Sequence, residues 1–221
     1  MTSGARAIRR RLTIGRFSWP DTIGEYVADL IAHAVWFAFA VTVLVVMLGR
    51  MESSVVLTVY GVCLVVLVAA SLANNVAPIG AVGHWLSRID KAVIFPFIAA
   101  TCGAFLSLGG LSPFKTGVLV LIWCGAIVGA FLKLVYAGRF RKLGLTLYLG
   151  LGWVGIAGMA DIAPTLGWTG CALLLGGGLV YTLGVPVYLK DTLPFRAAIW
   201  HGMCCIAGVL HFSALLVGLP A

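Results

Sequence analysis

Charge is scarce in this sequence: Asp, Glu, Lys and Arg together make up 10% of its 221 residues, and only seven are acidic. An ordinary soluble domain carries about a quarter. With 62% hydrophobic residues and a mean hydropathy of +1.09, the chain has too little polar sequence to coat a core of this size in water. A CxxC pair is also lacking; the six cysteines, Cys63, Cys102, Cys124, Cys171, Cys204 and Cys205, all fall inside apolar runs. That pattern excludes a disulfide framework and a cysteine-based zinc site. Low-complexity tracts, convincing internal repeats and loops long enough to fold separately are absent as well, so the chain reads as one bundle.

What the chain does have is a succession of apolar runs. About 20 mostly apolar residues cross the ~30 Å of hydrocarbon in a bilayer. Runs near that length are Leu30–Leu48, Ser54–Ala73, Ala92–Leu111, Thr116–Tyr136, Leu143–Ala160, Gly167–Leu189 and Ala198–Gly218. Short connections holding a charge or a proline separate them: Arg50 and Glu52, Pro78 to Lys91, Pro113 and Lys115, Arg139 to Lys142, Asp161 with Pro164, and Lys190 to Arg196. The expected fold is therefore all-α, a multi-pass bundle of seven transmembrane helices. Residues 1–27 form a basic cytoplasmic segment and residues 28–221 the membrane domain.

The net charge of +8 is punctuation between apolar runs, with one cluster at the N-terminus, and not the phosphate-tracking stripe of a nucleic-acid binder. Arg6, Arg9, Arg10, Arg11 and Arg16 resemble the start of a secretory signal. The apolar run that follows exceeds the roughly 7–15 residues of such a signal, and no A-x-A site closes it. It is expected to stay as the first membrane helix. Orientation follows from the Lys and Arg count in short loops. With the N-terminus inside, those five arginines, Arg88, Lys91, Arg139, Arg141, Lys142, Lys190 and Arg196 are cytoplasmic, which is twelve of the fifteen. Arg50 and Lys115 lie on the other side and Lys133 within a span. Removing one crossing would scramble that asymmetry.

Gly150 to Gly155 satisfies GxGxxG, but inside a span and after no strand, so it carries no nucleotide. These small residues, and Gly176-Gly177-Gly178, suit close helix packing in lipid. Polar residues in or beside spans say more, because an ionisable group in hydrocarbon costs at least ~2.5 kcal/mol. Glu25, Asp29 and His33 recur at i, i+4 and i+8, one face of the first helix. The plain alternative is an interfacial stripe facing headgroup water. Ser71 and the pair Asn74-Asn75 close the second span, Asp90 opens the third, and His201 opens the seventh, with His211 about three turns deeper. Singly these read as caps and back-bonded hydroxyls. Together, Ser71, Asn75, Asp90 and His201 share one membrane level and converge if the second, third and seventh helices adjoin, with His33 as a fourth wall.

The segments Glu25 with His33, Ser71, Ser87-Arg88-Ile89-Asp90 with Ile94, Tyr148 to Trp153, Gly177 to Tyr188, Ile199-Trp200-His201 and His211-Phe212 follow in an order and spacing that cover nearly the whole chain. In these the sequence resembles a hemolysin III-type member of the progestin and adipoQ receptor (PAQR) family. The resemblance implies a zinc site near the cytoplasmic side, made of a histidine four residues after Ser71 and an H-x3-H pair entering the seventh helix. This chain departs from it: Asn75 and Ala197 occupy two of the three ligand positions, leaving His201 as metal ligand. Catalytic zinc normally takes three protein ligands and an open water position. His33, His84 and His211 are the histidines left to compensate.

Two functions follow from the resemblance. One is a zinc-dependent, ceramidase-like hydrolase of lipid amides or esters, in which Asp90 orients or deprotonates the water and Ser71 holds it or polarises the carbonyl. The other is a non-catalytic protein of the same fold that binds lipid or senses membrane state. The hemolysin label adds membrane permeabilisation as a third class. Membrane lipid is the expected partner, and a bacterial inner membrane the expected location.

Overall fold

A computed structural model describes residues 13–14, 17–18, 22–49, 55–77, 80–136 and 141–219. The expected loop and N-terminal charges Arg6, Arg9, Arg10, Arg11, Arg16, Arg50, Glu52 and Arg139, with Pro78, lie outside the described residues. Apart from a two-residue pairing of Thr13–Ile14 with Phe17–Ser18, the described elements are helical. They are α1 (Ile23–Gly49), α2 (Val55–Asn75), α3 (Ala81–Ala92), α4 (Ile94–Leu106), α5 (Pro113–Val135), α6 (Arg141–Val154), a 3-10 turn (Gly155–Gly158), α7 (Met159–Leu189) and α8 (Arg196–Gly218).

Local chemistry sets several of these limits. Thr22 and Glu25 form a capping box on α1: the Thr22 hydroxyl accepts from the Glu25 amide at 3.2 Å, and Glu25 Oε2 accepts from the Thr22 amide at 3.0 Å. At the start of α5 the Ser112 side chain accepts from the Lys115 amide, with Pro113 in the first helical position where its missing N–H costs nothing. Between α3 and α4 the interruption at Val93 precedes Pro96, which has no N–H to offer the carbonyl of Ala92 and crowds it.

Six stretches are long and apolar enough to cross a bilayer: Ile23–Gly49, Val55–Asn75, Ala81–Leu106, Pro113–Val135, Leu143–Leu189 and Arg196–Gly218. The fifth differs from the sequence expectation. Instead of two spans parted by a loop at Asp161 and Pro164, the chain stays helical for 47 residues. The break falls at Gly167, whose φ of 62° with ψ of −178° is open to glycine alone. The third stretch is also corrected. Asp90 does not open it but lies near the end of α3, because most of the expected loop from Pro78 to Lys91 is helix.

In the bundle α7 packs along α8, α8 on α1, α1 on α2, and α2 on α3 and α4; α5 and α6 complete the other side against α4. The interior is filled by Trp36, Val43, Met47, Tyr60, Leu64, Phe97, Phe105, Ile162, Leu166 and Leu215. The outside is apolar too: Ile31, Val45, Val66, Leu121, Ile127, Phe131, Leu183 and Ile206 are exposed. An apolar exterior on this scale needs lipid around it. The chain is a multi-pass membrane protein.

Candidate functional site

At one end of the bundle, where α1 and α8 begin and α2 ends, five polar side chains meet. Asp29 is their hub. Its Oδ1 accepts from His201 Nδ1 at 2.6 Å, its Oδ2 accepts from Asn75 Nδ2 at 2.5 Å, and its main-chain oxygen accepts from His33 Nδ1 at 2.8 Å. The last contact is the intrahelical i, i+4 relation between Asp29 and His33, and it also sets the imidazole. A carbonyl oxygen can only accept, so Nδ1 of His33 is the donor in that bond. The other ring nitrogen, Nε2, faces Ser71 Oγ at 3.1 Å. The rings of His33 and His201 lie 4.1 Å apart, and Trp36 closes the inner side 6.2 Å from His201.

The cluster lies inside the bundle. Asp29 and His33 are 0% exposed, Asn75 4% and Ser71 7%. A carboxylate in such a place requires partners, and α2 and α8 supply them through Asn75 and His201. The placement of α8 relative to α1 is fixed nearby by a second bond: Glu25 Oε1 accepts from the amide of Phe195 at 2.9 Å, where the chain takes a left-handed turn (φ 54°) before α8.

The expected pocket is thus partly assembled as predicted and partly rearranged. Ser71, Asn75 and His201 come together, but the extensive neighbours of α8 are α7 and α1, not α2. His33 therefore stands in the middle, between Ser71 and His201, and not as an outer wall. Neither Asn75 nor Asp90 acts as a helix cap. Asn75 serves Asp29, and the adjacent Asn74 donates to Asp90 Oδ2 at 3.2 Å, with Lys91 Nζ 4.0 Å from the same oxygen. Asp90 is thereby held one asparagine away from the cluster. Glu25 shares the stripe of Asp29 and His33 but works on caps and the α8 turn. His211 belongs elsewhere: its Nε2 donates to the Leu174 carbonyl at 3.2 Å, and its ring packs by Phe105 and Tyr181. His84 is exposed on α3. Sequence reasoning missed Asp29 as the organising residue and Asn74 as the partner of Asp90. The signal for the first was there in the four-residue step from Asp29 to His33.

The three-imidazole set implied by the resemblance is not formed, since Ala197 has no donor and Asn75 turns its amide N–H to Asp29. A different set is present: Asp29, His33 and His201 offer ligand atoms within 4.8 Å of one another. Three donors on one zinc ion, each at 2.0–2.2 Å, stand roughly 3.3–3.8 Å apart. The three groups would close by about an ångström to hold an ion, and carboxylate with two imidazoles is a donor chemistry that divalent ions accept.

The family model described as Haemolysin-III related matches residues 27–212, most of the chain. The chain belongs to that family. Hemolysin-3 of Bacillus cereus is 29% identical over 206 residues, covering 90% of this chain and 94% of that one. The Hemolysin-3 homolog of Bacillus subtilis (strain 168) is 30% identical over 205 residues, with 88% and 94% covered. Monocyte to macrophage differentiation factor of Homo sapiens is 31% identical over 135 residues, 61% of this chain and 56% of that protein. With that likeness the family member is a hemolysin III-type protein of the PAQR group, as its segment order predicts. The matched region starts two residues before Asp29 and ends one residue beyond His211, so it encloses the whole cluster.

Proposed function

We propose that this hemolysin III-type protein hydrolyses an amide or ester bond of a membrane lipid, in the manner of ceramidase-like hydrolases, at the centre built by Asp29, His33, Ser71 and His201. One observation carries the proposal: two histidines, a carboxylate and a hydroxyl from α1, α2 and α8 meet inside a lipid-embedded bundle, with the donor atoms of Asp29, His33 and His201 within 4.8 Å. Asp29, His33 and His201 would hold a divalent cation such as zinc, which when bound polarises a carbonyl or makes a coordinated water nucleophilic. Asp90, held by Asn74 at the edge of the centre, orients or deprotonates the attacking water. The burial of the cluster keeps bulk water from competing and strengthens each of these interactions.

The proposal includes seven crossings with the N-terminus in the cytoplasm of a bacterial cell. The 47-residue stretch supports this, because at helical rise it would extend ~70 Å, more than twice the hydrocarbon thickness, unless it turns back at Gly167. The Lys and Arg asymmetry supports it too. Reporter fusions after Gly49, Asn75, Val135, Gly167, Leu189 and Gly218 test it: seven crossings put the ends of the chain on opposite sides, and six put them on the same side.

The test of the activity is release of fatty acid from N-acyl and O-acyl lipids by the purified protein in nanodiscs, alongside its metal content. Hydrolysis lost in Asp29→Ala and His33→Gln is expected. Parent protein that releases nothing from either lipid class overturns it. A separate observation favours the second function, a non-catalytic lipid binder or sensor. The bonds from Asp29 to Asn75 and His201, and from His33 to Ser71, join α1, α2 and α8 as polar glue in a way that requires no chemistry.

A further inference from the structure

We propose that the face where α3, α5 and α6 meet binds one anionic phospholipid of the surrounding bilayer, its phosphate held by Lys91 and Lys133 and an acyl chain laid in the cleft beside them. The site is distinct from the cluster around Asp29 and does not depend on the hydrolase reading. Lys133 is a cation inside a span, two residues before the end of α5, where a charge persists only with a counter-charge or a route to the interface. Its Nζ lies 5.9 Å from the centre of the Tyr148 ring on α6. The hydroxyl of the same tyrosine donates to the main-chain oxygen of Lys91 at 2.7 Å. Tyr148 thus brings the two lysines together, and their ammonium groups repel one another. Lys91 Nζ donates to Ser87 Oγ at 2.6 Å and to the Ser87 carbonyl at 2.9 Å, neutral partners that fix the ammonium and leave its charge. Arg88 adds a third positive charge, its Nη1 donating to the carbonyl of Leu134, the neighbour of Lys133, at 3.1 Å. Asp90 Oδ2, 4.0 Å from Lys91 Nζ, offsets one of the three. The excess of cations calls for an anion, and the anion abundant at a membrane face is a lipid phosphate.

The shape beside the lysines fits the rest of such a molecule. A cleft lined by Phe95, Gly129, Leu132, Leu143 and Leu147 adjoins Lys133. Gly129 lies one turn deeper than Lys133 on α5, and Leu147 one turn deeper than Leu143 on α6, so charge stands at the outer end and apolar surface farther in. A phospholipid presents its headgroup and chain in that order. Gly144 leaves room for the lysine, since a Cβ there would overlap Lys133 Nζ and Cε. Phe131, Leu134 and Leu143 are exposed around the cleft, which opens it to lipid. Trp85, exposed with the Arg88 guanidinium 4.8 Å over its ring, is an aromatic of the kind that sits at headgroup level.

The test places the full-length protein in phosphatidylcholine nanodiscs with a trace of phosphatidylglycerol carrying a diazirine in one acyl chain, and locates crosslinks by peptide mass. Label is expected on the peptides holding Leu132 and Leu143, about 10-fold or more above that from an equally labelled phosphatidylcholine. Lys133→Gln should lower it about 5-fold, the effect of one interfacial cation. Gly144→Leu should lower it as well with every charge kept. Should either variant fail to fold, the pattern on the parent still decides. Label spread evenly around the bundle, equal label from both lipids, or parental label in folded Gly144→Leu overturns the site. Loss of label to inorganic phosphate, but not to chloride at equal ionic strength, makes it a site for a free anion and overturns the lipid. Hydrolysis is read separately, so failure here leaves the hydrolase reading standing, and failure there leaves this site.

Discussion

Asn75 sets its side-chain nitrogen 2.5 Å from Asp29 Oδ2, so the residue standing where the family resemblance places a metal-binding histidine works instead as a hydrogen-bond donor to a buried carboxylate. The substitution and the carboxylate make sense together: a donor on α2 meets an acceptor on α1, and His201 completes the arrangement from α8.

Removing that donor should destabilise the bundle. Asn75→Leu keeps the side-chain volume but leaves Asp29 Oδ2 short of a partner, and a hydrogen bond to a charged group contributes about 1.5–3 kcal/mol. A loss of that size is expected in unfolding of the detergent-solubilised protein. Asn75→Asp should cost more, because it sets a second carboxylate against the first.

Restoring the absent imidazoles should change metal content. The double variant Asn75→His, Ala197→His is expected to hold zinc at a higher ratio per chain than the parent, read by elemental analysis of dialysed protein. Equal ratios in both proteins would mean that Asp29, His33 and His201 already make the stronger site.

Asp29→Ala removes the hub and should lower lipid hydrolysis by on the order of 10²–10⁴-fold, the range for loss of a positioned acid–base group and its orientation. The same substitution should reduce retained metal. Retention of both in Asp29→Ala would place the chemistry elsewhere in the bundle.

His211 offers the contrast. His211→Phe leaves the cluster intact and should keep hydrolysis at the parental rate while costing about 1 kcal/mol for the lost bond to the Leu174 carbonyl. Gly177→Ala should destabilise by about 1–3 kcal/mol, since a Cβ there would lie 2.2 Å from His211 Cδ2. Unfolding temperature and hydrolysis measured on the same preparations separate these effects.

Glu25→Ala should loosen the start of α1 and its tie to the turn before α8. The loss of the capping box is worth about 1 kcal/mol, and the free Phe195 amide should exchange its hydrogen faster than in the parent.

Sequence alone determined that this chain lives in lipid, because hydropathy summed over runs of about 20 residues leaves no soluble alternative. It also determined the family through ordered segments, and the residue types of the site, because polar groups in apolar runs are few enough to single out. Periodicity put Asp29 and His33 on one face, since that relation lies within a single helix. Tertiary structure decided the rest. Which helices adjoin depends on packing between distant segments, and it placed α1 between α2 and α8, so that His33 faces Ser71 while Asp29 receives His201. It also kept the chain helical through Asp161 and Pro164, since the break fell at Gly167, where only a residue without a Cβ can turn the backbone.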